Sequence, residues 1–261
     1  MKIVTYNVWN DTDSLPVRTE PLIREIGRIN ADIFGLQEVM PEFWDELLRG
    51  TDYPYHCYCV IPERGDGLAF LSKYPLENVS FLRCHDEFGN SYALNVTFND
   101  GGFRFSALNV HLPWDSVLAR ETQILAVDRF TRRQKENYDY FILAGDFNGT
   151  SRSSVHSFLT GERSLRGVES ALVYDDVAGV HAAVNGYAAA PTLDFATNPR
   201  WRNNNTKYEP CAVDKILFAD NATRGDYFIR NAGIFGTDVS TETGLAPSDH
   251  YGVTVEMEFI G

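Results

Sequence analysis

Phe141-Ile142-Leu143-Ala144-Gly145-Asp146-Phe147-Asn148-Gly149 is the stretch that decides the fold. Four apolar residues run directly into Gly-Asp-x-Asn, the pattern of a buried strand that opens into a loop. Such a strand fixes the backbone and sets one carboxylate and one amide at its end. Side chains alternate along a strand, so Asp146 and Asn148 are expected on one face. A carboxylate and an amide held together suit a hard cation or a phosphate. The ordinary alternative is a strand end closed by an Asx turn.

The other strand ends carry the same kind of chemistry. Thr5-Tyr6-Asn7 ends the first strand with an amide, and Gly35-Leu36-Gln37-Glu38 ends another with a carboxylate. Asn109-Val110-His111 ends a third with an imidazole. Val213-Asp214-Lys215 begins an apolar run, and Ser248-Asp249-His250 stands at the start of the last strand. Polar groups gathered where strands meet loops are the pattern of a metal-assisted phosphoester hydrolase. Glu38 is the leading metal ligand, with Gln37 and Asn7 placed to orient it.

In this order and rough spacing, Asn7, Leu36-Gln37-Glu38, His111, Gly145-Asp146-Phe147-Asn148, Asp214 and Ser248-Asp249-His250 resemble the endonuclease/exonuclease/phosphatase superfamily. The resemblance spans residues 3–259. It implies an α/β (α+β) four-layer sandwich of the DNase I-like type: two packed mixed sheets flanked by helices, with the active site where the sheets meet. It implies catalytic roles for His250, Asp214, Asp146, Asn148 and His111, with His250 paired to Asp214. It also implies metal contacts from Glu38, Asn7 and Asp249, with Mg2+ as cofactor and Mn2+ as a substitute.

Leu36-Gln37-Glu38-Val39-Met40-Pro41, Thr192-Leu193-Asp194 and Pro247-Ser248-Asp249-His250-Tyr251-Gly252 are similar to the tyrosyl-DNA phosphodiesterase branch. Phe147, Leu193 and Leu112-Pro113-Trp114-Asp115 depart from that branch, which carries Thr, Trp and Leu-Glu-Ser there. The expected substrate is a phosphodiester at a nucleic-acid end or a 5′-phosphotyrosyl-type linkage. A small-molecule or lipid phosphoesterase, like a sphingomyelinase or inositol phosphatase, is one alternative. A non-catalytic binding module is another. Such a module would usually lack one of Glu38, Asp146, Asp214 or His250, and all four are present.

Composition narrows the partners. A chain of 261 residues, 44% hydrophobic and 13% aromatic, can bury a substantial core. No linker or repeat divides it, so residues 1–261 are read as one domain. Its 36 acidic residues against 23 basic ones give a net charge of −13. Long duplex binding needs a basic stripe, so a strand end or short single strand is the better partner. Arg200-Trp201-Arg202 is the basic-aromatic cluster and is read as a substrate platform, the indole stacking bases and the guanidinium groups holding phosphates. A solvated turn is the alternative. No 18-residue apolar run exists, so no membrane span is expected. With no secretory pattern and no zinc spacing, Cys57, Cys59, Cys84 and Cys211 are read as reduced and the location as cytoplasmic.

Periodicity predicts strands over 2–8, 32–38, 55–61, 67–72, 76–83, 91–98, 103–111, 139–145, 213–219, 226–235 and 250–259. Helices are expected over 17–29, 41–48, 117–134 and near 153–160. Arg120-Glu121-x-Gln123 resembles a superfamily pattern, which implies a structural role bracing the His111 loop, with a solvated face as the alternative. Residues 161–210 read as irregular.

Overall fold

The computed structural model describes residues 1–86, 89–201, 209–221 and 226–260. The first part of the chain runs β1 (Lys2–Asn7), α1 (Leu15–Ile29), β2 (Ile33–Val39), α2 (Pro41–Gly50), β3 (Tyr55–Val60) and β4 (Gly67–Ser72). The middle continues with β5 (Asn78–Asp86), β6 (Gly89–Asp100), β7 (Phe103–His111), α3 (Val117–Gln134), β8 (Tyr140–Asp146) and α4 (Ser154–Leu159). The last part holds β9 (Asp175–Asp176), α5 (Val177–Val184), β10 (Asp214–Asp220), β11 (Asp226–Phe235) and β12 (Gly252–Ile260).

Two six-stranded sheets result, in the orders β11-β12-β1-β2-β4-β3 and β5-β6-β7-β8-β10-β9. Alternation gives each central strand two apolar faces. Tyr140, Ile142 and Ala144 of β8 join the core between the sheets, while Phe141 and Leu143 pack under α3 and α4. In the first sheet, Val4, Tyr6, Phe34 and Leu36 meet Leu22 and Ile26 of α1 and Phe43 and Leu47 of α2. Helices on both outer faces complete the four-layer α/β sandwich.

Strand direction decides where polar ends gather. β1 and β2 are parallel, as are β7 and β8, so these four C-terminal ends share one edge of the sandwich. β12 runs antiparallel to β1, and β10 antiparallel to β8, so their beginnings reach the same edge. The opposite end of the second sheet is closed by aromatic rings. Phe98, Phe105, Tyr140 and Phe218 follow one another across four strands with centroids 5.0, 5.3 and 5.4 Å apart. Phe259 of the other sheet packs on the last three. Such pairs add about 0.5–1.5 kcal/mol each beyond burial. The stack therefore clamps the sheets together six residues, roughly 20 Å, from Asp146.

Two expectations change. α1 starts at Leu15, so Pro16 occupies its first turn and Pro21 lies inside the helix. The segment read as irregular contains β9 and α5, packed against β10, β11 and β12. Its sequence, Val-Ala-Gly-Val-His-Ala-Ala-Val, is apolar almost throughout and has no amphipathic stripe to read. Asp176 caps α5 by accepting from Gly179 N. A hairpin turn joins β6 to β7, with Gly101 and Gly102 at positive φ.

Candidate active site

The Gly-Asp-Phe-Asn loop begins with a contact that only glycine permits. Gly145 has φ +143°, and a Cβ there would lie 1.9 Å from the Val110 carbonyl oxygen of the adjacent strand. That close approach sets His111 opposite Asp146 in the parallel pair. On its other side Asp146 faces Asp214 in the antiparallel pair. Three site residues thus stand in one row across β7, β8 and β10. Asp146 Oδ1 also accepts from Asn148 N at 2.8 Å, an Asx turn. The Asn148 amide, at φ +46°, donates to the Leu112 carbonyl at 2.9 Å and ties the loop to the His111 segment.

Glu38 reaches the site by an irregularity. Ile3, Ile33 and Phe70 face the inter-sheet core while Phe34 and Leu36 face α1 and α2. By parity Glu38 would follow Leu36 outward. Instead the β2–β4 register shifts between Leu36 and Val39, and Glu38 takes φ +57°. A bulge of this kind re-aims a side chain. The carboxylate then accepts from Asn7 Nδ2 at 3.0 Å and Asn10 N at 2.9 Å.

Asn7 bridges the sheets. Its Nδ2 donates to Glu38 and also to Asp146 Oδ2 at 3.0 Å. Its Oδ1 accepts from Trp9 N at 3.0 Å, which assigns the amide orientation. Through its nitrogen, Asn7 therefore spaces two carboxylates. Gln37, unlike Asn7, directs its side chain away from Glu38. Its side chain donates to Asn109 Oδ1 at 2.7 Å and exchanges bonds with Thr5, and Asn109 donates to the Leu36 and Ala69 carbonyls. All three side chains are fully buried and satisfied, so they pin one sheet against the other directly below the site.

His250 closes the cluster. Its Nδ1 lies 2.9 Å from Asp214 Oδ2, and its Nε2 lies 3.9 Å from Asp146 Oδ2. The Nε2 of His111 is 3.6 Å from both Glu38 Oε1 and Asp146 Oδ2. Ser248 fixes the loop between them by donating to the Asn7 carbonyl at 2.7 Å.

The charges are strongly coupled. Burial opposes the Glu38 carboxylate, but His111, the Asn7 amide and the Asn10 N–H outweigh it and hold the group below the usual carboxylate range. Complete burial and then the Asp214 carboxylate push Asp146 up, against the pull of His250 and His111. Burial, with Glu38 and Asp146 nearby, pushes Asp249 up to about 6 despite His250 and Arg18. Burial disfavours charge on His250, yet Asp214 and Asp249 hold it well above the usual histidine value. Asp214 Oδ1 is buried with no hydrogen-bond partner among the described residues. Four carboxylates with too little positive charge between them suit a hard divalent cation. Asp146, Asp214 and His250 offer ligand atoms within 4.8 Å of one another. Glu38, held below the usual carboxylate range, stands at the same distance from His111 Nε2 as Asp146 and borders this group.

Glu38, His111, Asp146, Asp249 and His250 line a cavity of about 1310 Å³. That exceeds the roughly 300–1,000 Å³ of ordinary ligand pockets. Trp9, Trp114, Phe195 and Trp201 form its walls, and Arg64, Arg120 and Arg152 its basic rim. Arg120 braces the His111 loop as expected, donating to the Pro113 and Trp114 carbonyls. Trp201 Nε1 donates to the Asp249 carbonyl at 3.0 Å, and its ring packs on Phe195. Arg200 donates to the Ala246 carbonyl at 2.8 Å, so its Nε serves the His250 loop. The indole found near two guanidinium groups is Trp9, with Arg18 at 4.9 Å and Arg200 at 5.4 Å. Arg202 lies outside the described residues.

Sequence reasoning missed Asn10, Arg18, Arg64 and Asp66. Arg18 is buried and donates to the Val8, Trp9, Asp11 and Pro247 carbonyls, joining the two loops that carry Asn7 and His250. It sits in the first turn of α1, between Val17 and Thr19, where an arginine normally reads as solvated. Asp66 lies in a Glu-Arg-Gly-Asp-Gly turn that reads as an exposed hairpin, yet it is buried.

The family model described as Endonuclease/Exonuclease/phosphatase family matches residues 4–250. No curated protein is matched. Among solved structures, a functionally unknown conserved protein from Enterococcus faecalis V583 superposes with a TM-score of 0.76 at 22% identity, covering 99% of each chain. D. rerio TDP2 complexed with single strand DNA product gives 0.78 at 18% identity, covering 99% of this chain and 98% of that one. A mannosyl-6-phosphatase of Bacteroides thetaiotaomicron VPI-5482 gives 0.73 at 18% identity, covering 99% and 100%. At such identities the likeness shows a common fold. With its family model matched over nearly the whole length, the chain belongs to the endonuclease/exonuclease/phosphatase family.

Proposed function

We propose that this protein is a divalent-metal-dependent phosphodiesterase that hydrolyses a nucleic-acid end or a 5′-phosphotyrosyl-type linkage. The observation that carries the reading is the Asn7 amide, which holds Glu38 of one sheet and Asp146 of the other 3.0 Å from a single nitrogen. Glu38 and Asp249 would hold Mg2+, with Mn2+ as a substitute. The bound ion would neutralise charge on the phosphoryl group.

The chain's own residues divide the remaining work. Burial and Asp214 raise Asp146 above the usual carboxylate range, which makes it a stronger base than an exposed carboxylate. It would take a proton from the attacking water as the new O–P bond forms and the bond to the leaving oxygen breaks. Asp214 accepts the Nδ1 proton of His250, leaving Nε2 to donate to a non-bridging oxygen. That donation favours the transition state, where charge on the oxygen grows. Asn148 is held by Leu112 and would settle the phosphate from the loop side.

Trp201 and Phe195 would stack the base at a strand end beside the phosphate. A phosphomonoesterase is the second reading, and the neighbour that favours it is the mannosyl-6-phosphatase of the same fold. One hydrolysis panel with Mg2+, with and without EDTA, decides between them. It contains a 5′-tyrosyl oligonucleotide, plain single- and double-stranded DNA, poly(A) RNA, sphingomyelin, an inositol phosphate and a sugar phosphate. Fastest EDTA-sensitive turnover of a nucleic-acid diester is expected. Turnover of the monoesters alone would refute the diester reading.

A further inference from the structure

Arg64 stands in the turn between β3 and β4, and its Nη2 lies 3.1 Å from His111 Nδ1 and 2.8 Å from Asp66 Oδ2. A guanidinium nitrogen can only donate, and Nη2 carries two protons. One therefore goes to Asp66 and the other to the imidazole. An accepting Nδ1 leaves the neutral ring's proton on Nε2, which is the atom 3.6 Å from Glu38 and Asp146.

The arginine is itself held. Asp66 is 1% exposed and accepts a second bond from Asn10 Nδ2 at 2.5 Å. The turn is pinned where Arg64 N and Gly65 N donate to the Ile61 carbonyl and Ile61 N donates to the Asp66 carbonyl. Since Asn10 N also donates to Glu38, one circuit runs Glu38–Asn10–Asp66–Arg64–His111 and returns to Glu38. The Arg64 side chain keeps about a third of its surface free at the cavity rim, so it can hold the ring without filling the site.

We propose that Arg64 is a positioning residue that fixes His111 as its Nε2–H tautomer, a standing hydrogen-bond donor to the phosphoryl oxygen. The role in turnover rests on the phosphodiesterase reading above, but the tautomer does not. The test is NMR of protein carrying 15N-labelled histidine, without substrate, at about pH 8.5, roughly two units above the usual histidine value. His111→Gln assigns the signals. The wild type should show His111 protonated on Nε2, Arg64→Leu should populate the Nδ1–H form, and Arg64→Lys should largely keep the wild-type pattern.

With a diester substrate, kcat of Arg64→Leu should fall roughly 10- to 100-fold with KM held, as for other groups that orient a site from behind. Lysine should restore most of it. An Nδ1–H His111 in the wild type, or a tautomer unchanged in Arg64→Leu, overturns the proposal. A raised KM at unchanged kcat makes Arg64 a substrate anchor and also overturns it. If the wild type hydrolyses no diester at all, the functional reading falls while the spectrum still decides the role of Arg64.

Discussion

His250 and His111 enter the cavity from opposite sheets, and each is held by a residue of the other sheet. His250, at the head of β12, is held by the Asp214 carboxylate of β10. His111, at the end of β7, is held by the Arg64 guanidinium from the β3–β4 turn. A carboxylate behind an imidazole accepts its Nδ1 proton and favours the charged ring. A guanidinium behind an imidazole donates a hydrogen bond to Nδ1 and keeps the ring's own proton on Nε2. Two identical side chains, both next to Asp146, are thus prepared for different work. Both grips cross the sandwich, so each histidine is in place only when the sheets are in register.

Removing His250 should break this comparison most strongly. His250→Ala should lower kcat roughly 10²- to 10⁴-fold, and His250→Gln should do no better, because glutamine carries no charge. Asp214→Asn should move in the same direction. The double variant should be no slower than the worse single in steady-state kinetics, and a multiplicative loss would show that the pair does not act as a unit.

Glu38→Gln should fold, by circular dichroism, but lose Mg2+-dependent hydrolysis. Isothermal calorimetry should show weakened Mg2+ binding, and unchanged binding would move the ion elsewhere. The histidine comparison sharpens further at position 111. His111→Ala should lose roughly 10²-fold, the usual scale for one oxyanion donor. His111→Gln should recover most of that loss in the same assay, because its amide still donates. Equal damage from glutamine at both histidines would erase the distinction.

The smallest effect belongs to the wall. Trp201→Ala should weaken KM for a short single-stranded oligonucleotide about fivefold, near 1 kcal/mol of lost stacking. The wild type should cut that oligonucleotide faster than a long blunt duplex at equal strand concentration. Faster duplex cleavage, or an unchanged KM, would deny the wall its stacking role.

Much of the architecture was legible because it is local. Val117–Gln134 shows its helix through apolar spacing, and Phe141–Asp146 shows its strand through an apolar run closed by Gly-Asp. Asn7, Asp146, Asp214 and His111 were legible because period-two geometry carries side-chain parity from each buried strand to its end. The α5 segment was not legible, since its burial comes from β10, β11 and β12, which pack on it from distant parts of the chain. In Arg200-Trp201 the residue types were seen, but not the carbonyls of Ala246 and Asp249 that occupy them.

The sequence by itself determined which groups stand at strand ends, because apolar alternation and turn residues act within a few positions of each other. Tertiary structure alone decided how those groups are used. Parity along β2 sends Glu38 toward the helices, and a bulge against β4 with φ +57° turns it into the cavity. Asp146 reads as a plain carboxylate until Asp214, 68 positions later, is set across from it and the sandwich removes its water. Charge, tautomer and desolvation depend on what lies within a few ångströms, and in this fold those neighbours come from distant parts of the chain, from the adjacent strand for Asp214 beside Asp146 and from the opposite sheet for Asn7 beside Asp146.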